Sequence, residues 1–203
     1  NYAIELLDEN SSAKVKSLIR DFNFKEDLQY YTNNHILRFG LHATHHRIAP
    51  SDITTSAGSS FNPLSIENRY GLELAVYASD EWTISDKFNL LYGLRLSQFS
   101  LLGPGTLNTY DSSGEVSSSS TYKSGEFVKN YFNLEPRLSA SYSLNEKNSI
   151  KASYNRNTQN IHILSNSGSS SPTDQYVMSS NNIKPEIADQ VALGFFKNSE
   201  SNA

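Results

Sequence analysis

Cysteine is absent from the 203-residue sequence, which excludes a disulfide scaffold and any thiolate metal centre. No apolar run reaches 18 residues, so the chain encodes no transmembrane helix. Cations are neither abundant nor grouped. Lys and Arg number 17 against 21 Asp and Glu, giving a net charge of −4, and no basic run is present to track a phosphate backbone. Nucleic acid is therefore not expected as a partner. The first residues, NYAIELLDEN, do not read as a signal peptide, so for an exported protein this stretch is expected to be an internal or processed piece. Catalytic signatures are missing too. There is no Gly-x-Ser-x-Gly elbow and no His-Glu-x-x-His, and Gly103-Pro104-Gly105 reads as a turn, not a phosphate loop. Serines and histidines without a spacing that brings nucleophile and base together support neither an enzyme nor a cofactor.

Hydrophobic residues make up only 37% and mean hydropathy is −0.51. Disorder is nevertheless excluded by 12 Tyr, 10 Phe and strong periodic segments. Low hydropathy is compatible with a transmembrane barrel, where only alternate residues meet lipid. The stretch from Ile66 to Leu101 shows that alternation most clearly. One parity runs Ile66, Asn68, Tyr70, Leu72, Leu74, Val76, Ala78, Asp80, Trp82, Ile84; the other carries Glu67, Arg69, Glu73 and Glu81. A side-chain period of two means a long strand with one apolar and one polar face. After Ser85-Asp86-Lys87 the pattern resumes at Phe88, Leu90, Tyr92, Leu94 and Leu96. Both arms exceed the usual five or six residues of a globular strand.

The rest of the chain repeats this design. Residues 1–12 read as polar with a loop signal at Asn10-Ser11-Ser12. Strands are expected over Val15–Tyr31 and His35–Arg47, with a tight turn at Thr32-Asn33-Asn34. A Ser/Thr/Pro-rich loop follows at 49–65, and the low-complexity stretch 102–126, with serine at Ser117 to Ser120, is expected to be a longer loop. Strands over Phe127–Leu144 and Ser149–Leu164 flank a turn at 145–148; a third loop at 165–182 precedes a strand over Ile183–Lys197. Short turns thus alternate with long loops along about seven long strands, the signature of an outer-membrane barrel. A β-sandwich would show turn signals every 8–12 residues. Seven strands do not close a bacterial barrel, so either an eighth lies near the N-terminus or the chain is a slice of something larger. Tyr30, Tyr31, Trp82, Phe88, Tyr142, Phe195 and Phe196 gather near the short turns, as an interfacial girdle would.

Three stretches resemble the barrel of TonB-dependent outer-membrane receptors, particularly those of Bacteroidetes: LELAVYASDEWTISDKFNLLYGLRLSQF (72–99), YFNLEPRLSASYSLNEKNSIKASYNRNTQ (131–159) and NNIKPEIADQVALGFFKN (181–198). The Tyr-Gly-Leu-Arg exit, the Glu-Pro-Arg start and the Lys-Pro-Glu lead into a strand ending Gly-Phe-Phe carry the likeness, and their order covers residues 13 to 198. The resemblance implies an all-β fold of long antiparallel up-and-down strands, residues 1–203 forming part of a 22-stranded barrel whose plug domain and remaining strands are absent. It also implies an outer-membrane location and uptake of a scarce nutrient energised through TonB. Implied partners are outer-membrane lipid, the plug domain of the parent chain, TonB and a surface lipoprotein, and an isolated fragment is expected to self-associate through its apolar faces. Two other readings stay open: a surface or secreted all-β module that binds glycans or acts as an adhesin, and a passive porin-like channel.

With the apolar parity toward lipid, Arg38, Glu67, Arg69, Glu73, Glu81, Arg95, Lys129, Glu135, Arg137, Lys151 and Glu186 point into the lumen, to contact a plug, line a solute path or pair across strands. His42 and His46 share a face but lie roughly 13 Å apart along a strand, and His45 faces the other way, so metal is not expected there. Pro136 falls inside a convincing strand, where a bulge or strand start would accommodate it, and Pro185 sits just ahead of one. Tyr110, Tyr122 and Tyr176, in loops that would be extracellular, are candidate ligand contacts.

Overall fold

The computed structural model describes residues 2–8, 11–55, 64–164 and 175–198, with side chains for 17–49, 54–55, 66–164 and 175–198. Every regular element among them is a strand: β1 (Tyr2–Asp8), β2 (Ser11–Tyr31), β3 (His35–Thr55), β4 (Leu64–Ser65), β5 (Arg69–Ser85), β6 (Phe88–Leu102), β7 (Gly105–Tyr110), β8 (Val116–Tyr122), β9 (Phe127–Asn145), β10 (Asn148–Gln159), β11 (Ile161–Leu164), β12 (Gln175–Met178) and β13 (Glu186–Lys197). The main sheet is antiparallel in the order β1-β2-β3-β5-β6-β9-β10-β13, with β4 added to β3. Each long hairpin closes on a turn that supplies its own hydrogen bonds. The His35 amide donates to Thr32 Oγ1 at 3.1 Å, and the Lys147 amide to Asn145 Oδ1 at 3.0 Å.

One hydrogen-bonded row crosses the sheet through His35, Trp82, Leu90, Ala140 and Ala152. His35 opens β3, whereas Trp82 lies three residues before the end of β5 and Ala140 five before the end of β9. The short turns therefore step away from the row as the sheet is crossed, the stagger that tilted strands of a barrel require.

The sheet is inverted relative to a water-soluble protein. Apolar side chains of one face stand open, with Phe132 at 69%, Val76 at 56% and Leu94 at 48% exposure, while their neighbours Ala75, Ser97 and Glu135 on the other face are at 5%, 3% and 6%. Measured from the short turns, the open face is apolar for about ten residues, the length that spans a bilayer with tilted strands. Beyond that, Arg20, His45, Arg47, Gln98 and Ser100 take the outward positions. The polar exceptions inside the band are mostly neutralised in place. Asp80 accepts from Tyr92 Oη and pairs with His35 Nδ1, each at 2.8 Å, and Arg156 holds Asp189 across β10 and β13 at 2.7 and 2.9 Å. Glu26 has no ion pair among the described residues, and nothing in the fold accounts for it.

The turns at 32–34, 86–87 and 145–148 stand where the sequence places them, but several boundaries move. Residues 2–8 form β1 instead of a loop, because pairing with β2 over Tyr2↔Ser17 to Asp8↔Ser11 satisfies their backbone whatever their side chains. This added strand does not close the sheet, since β1 and β13 remain its two ends among the described residues. β3 continues to Thr55 into the loop expected at 49–65; residues 56–63 lie outside the described residues. The serine run is not loop but β8, paired with β7, and the 165–182 loop contains β12, paired with β11; residues 165–174 lie outside the described residues. Of the seven aromatics expected as a girdle, Tyr31 and Phe196 face inward, since consecutive residues in a strand cannot share a face. Pro136 is neither a bulge nor a strand start. The β6–β9 register passes through it opposite Leu94, and the β9–β10 ladder ends one residue away at Arg137↔Asn155, where a residue without an N–H can no longer donate.

Candidate functional site: the polar inner wall and its rim pocket

Period-two alternation brings the charged parities of β3, β5, β6 and β9 to one surface. Arg95 is central to it. Its guanidinium lies 3.7 Å from Glu73, 3.9 Å from Glu135 and 3.3 Å from His42 Nδ1, with the Tyr77 ring 5.8 Å away. Glu135 is buried and also accepts from Ser97 Oγ at 2.6 Å, so the two carboxylates and the cation satisfy one another. One strand further, Arg38 pairs with Glu81 at 3.1 Å. Tyr77 lies over Gly40, where any Cβ would strike its ring, and donates to Asp27 on β2. The glycine is thus the opening through which an aromatic side chain links three strands.

At the long-loop end the inner wall turns apolar. Ile48, Phe99 and Leu101 form the buried core with Met178 of β12, flanked by Tyr131, Ile161 and Tyr176. The β11–β12 ribbon therefore packs on the inner face of the wall. Gly71 admits it: a Cβ there would lie 3.0 Å from both Met178 Sδ and the Phe99 ring. Polar contacts pin the same ribbon. Asn160 Nδ2 donates to Glu73 at 3.4 Å, His162 meets Ser179 Oγ at 2.9 Å and Glu186 at 3.3 Å, and Tyr131 Oη donates to Ser180 O at 2.5 Å. Burial pushes the Tyr131 phenol up, which keeps it a proton donor in that bond.

The β7–β8 ribbon is held against the same rim. Glu67 and Arg69 pair at 3.1 Å and together grip Thr106, Glu67 accepting its N–H and Arg69 donating to its carbonyl, both at 3.4 Å. Gly105, at φ +147, lets Arg69 approach within 2.3 Å of where a Cβ would stand. Asn182 Nδ2 bonds Asn108 O at 2.9 Å and ties this ribbon to the segment after β12. Between the two ribbons and the wall lies a cavity of about 280 Å³, lined by Arg69, Thr106, Tyr110, Tyr176, Met178 and Asn182 among others.

A sheet with an apolar outer band, a charged inner wall and loops folded inward at one end is the geometry of a barrel wall in lipid. The sequence profile of the family described as TonB dependent receptor-like, beta-barrel matches residues 3–198. The chain belongs to that family. A comparison with curated proteins returned no match. TonB-dependent receptors are bacterial outer-membrane transporters rather than enzymes, and the complete receptor includes a plug domain and works with TonB.

In this TonB-dependent receptor barrel ten of the eleven residues expected on the lumen side occupy the inward parity of their strands, in different settings, while Glu67 precedes β5 and lies in no strand. Glu73, Arg95 and Glu135 form one network, and Arg38 and Glu81 another. Glu67 and Arg69 are at the rim, gripping β7, and Glu186 meets His162. Lys129 lies 5.6 Å from the Tyr131 ring and Lys151 5.0 Å from that of Phe196, while Arg137 has no acidic partner among the described residues. Tyr110 and Tyr176 come together at one cavity; Tyr122, at the end of β8, does not line it. His42, His45 and His46 go separate ways, to Arg95, to the Tyr70 ring and to Asp21. Sequence reasoning missed Tyr77, Gly40, Gly71, His162 and Met178. Their roles arise from contacts between distant strands, and only the glycines left a trace, as interruptions of otherwise regular strands.

Proposed function

We propose that this chain is a section of the barrel wall of an outer-membrane receptor, of the Bacteroidetes type, that takes up a scarce nutrient with energy delivered through TonB. The observation that carries this reading is the inverted sheet. Its open apolar band about ten residues tall matches a bilayer, and its charged wall needs an aqueous or protein-filled interior. In this reading residues 1–203 are part of a larger barrel, probed from inside by a plug that meets Arg137, Lys129 and the Arg95 network. The short turns face the periplasm and the ribbons β7–β8 and β11–β12 face outward, where Tyr110, Tyr122 and Tyr176 meet the ligand. A surface lipoprotein covering that mouth is consistent with the loop arrangement. Without lipid or the rest of the barrel, the apolar face drives the fragment to self-associate.

The test is carried out on the full-length receptor. Cells carrying it are fractionated, and nutrient-limited growth is compared with and without TonB. Outer-membrane recovery with growth that depends on TonB supports the reading. Growth that persists without TonB indicates a passive channel, and recovery in the soluble fraction indicates a binding module.

A further inference from the structure

The outward face carries one carboxylate that is buried and only half satisfied. Asp80 is 5% exposed and sits in the apolar band, directly opposite Leu37 on one side and Tyr92 on the other. Both of its hydrogen bonds, with His35 Nδ1 and Tyr92 Oη, fall on Oδ2 at 2.8 Å, and Oδ1 has no partner among the described residues. No Lys or Arg among the described residues bonds it. A charged group in that setting calls for compensation from outside the chain. As a carboxylate Asp80 only accepts, so His35 donates from Nδ1, and the uncharged ring then carries its lone pair on Nε2, the nitrogen that Asp80 does not engage. The His35 side chain is 37% exposed. Trp82, directly opposite it in the ladder, stacks on its ring at 5.4 Å and 17°.

The height of the cluster puts it within reach of a lipid headgroup. Trp82 lies three residues and Asp80 five before the end of β5. At about 3.3 Å per residue and a tilt near 45°, these are about 7 and 12 Å from the short turn, just inside the lower border of the apolar band. A negative charge, a ring acceptor and the partly open rings of Trp82 and Tyr92 together select a cation that carries N–H groups. An anion would meet a like charge instead. We propose that His35, Asp80, Trp82 and Tyr92 form a site for the primary ammonium of a phosphatidylethanolamine-type lipid. One N–H of the headgroup donates to His35 Nε2, and its charge is set against Asp80 and the aromatic faces. The acyl chains then run up the band past Leu37 and Leu90, the cross-strand neighbours of Asp80 and Trp82. The inference rests on the receptor reading above, which turns the short turns and this site toward the periplasmic leaflet.

The full-length receptor is reconstituted in nanodiscs of equal parts phosphatidylethanolamine, phosphatidylcholine and phosphatidylglycerol. It is then extracted into mild detergent, and the lipid it retains is counted by native mass spectrometry. Phosphatidylethanolamine is expected to be retained in preference to phosphatidylcholine, which has no N–H to donate, and to the anionic phosphatidylglycerol. Asp80→Asn, which keeps the shape of the carboxylate and removes its charge, should lower that retention about three- to tenfold, and His35→Phe, which keeps a ring on Trp82 without an acceptor, should do the same. Tyr142→Phe, on the same face near the turn of β9, should leave it unchanged. Heat-modifiable mobility on gels confirms that each variant is folded, and the two site variants fail independently. Equal retention of the three lipids, preference for phosphatidylglycerol, or retention indifferent to both site variants overturns the proposal. TonB-dependent growth alongside such a result leaves the receptor reading standing. Selective retention that both variants abolish, with growth that persists without TonB, does the reverse.

Discussion

An arginine placed at Leu94 tests the orientation of the whole sheet. Leu94 faces the open side, pairs with Ala78 and Pro136, and stands six residues from the start of β6 at Phe88. At about 3.3 Å per residue and a tilt near 45°, it lies about 14 Å from the short turn, close to the middle of a ~25 Å apolar band. Arg at that depth costs about 2–4 kcal/mol, falling to about 0–1 near either interface. Leu94→Arg should therefore destabilise the full-length receptor by about 2–4 kcal/mol, and Leu144→Arg, one residue from the end of β9, by no more than about 1. Ser139→Arg, on the inward parity at a comparable height, should stay near zero because the new cation points to water. The assay is reversible urea unfolding in lipid vesicles, followed by the loss of heat-modifiable mobility on gels. A cost at Leu94 equal to that at Leu144, or a cost at Ser139 as large as that at Leu94, would refute the assignment of lipid to the apolar face.

Replacing Arg95 by Met leaves Glu73 and the buried Glu135 facing each other without their cation, and should cost about 1–3 kcal/mol in the same unfolding assay, less than the ~3–5 of a dry buried pair because the wall is wet. The double change with Glu135→Gln should recover part of it; no recovery would show that Arg95 acts through packing. Gly71→Val drives a side chain into Met178 and Phe99, with an overpacking cost of about 1–3 kcal/mol, and should lift the β11–β12 ribbon. Faster hydrogen exchange at Ile161 to Leu164 reads this, and unchanged protection there would mean that the ribbon is not seated on the wall. Tyr77→Phe removes the hydroxyl that reaches Asp27 and should cost no more than about 1 kcal/mol, since Asp27 is exposed, whereas Gly40→Val displaces the ring itself and should cost more. The reverse order would show that the hydroxyl, not the ring over Gly40, ties β2 to β5.

The strands and their two faces were legible in the sequence because a strand's side chains alternate strictly. Leu72, Leu74, Val76 and Ala78 can only share a side, so the pattern specifies a face without any knowledge of partners. The three short turns were legible for a related reason: Asn34, Asp86 and Asn145 interrupt the alternation with residues that satisfy turn backbone locally. The same locality explains why the ten lumen candidates that fall within strands share one parity. What the alternation could not convey was pairing. The expected loops at 102–126 and 165–182 carry β7, β8 and β12 because backbone groups of a serine run pair as well as any others once a neighbouring segment is held beside them. β1 emerged for the same reason.

Which charges meet was likewise beyond the sequence. Glu73, Arg95 and Glu135 are drawn from three strands, and their network depends on a register set by turn lengths many residues away. The inward fold of the β11–β12 ribbon depends on Gly71, Phe99 and Met178 fitting together across more than 100 residues of chain, and the cavity beside Tyr110 and Tyr176 exists only once that fit is made. Local periodicity determined the faces of this barrel wall. Contacts between strands far apart in sequence decided its register, its inner network and its rim.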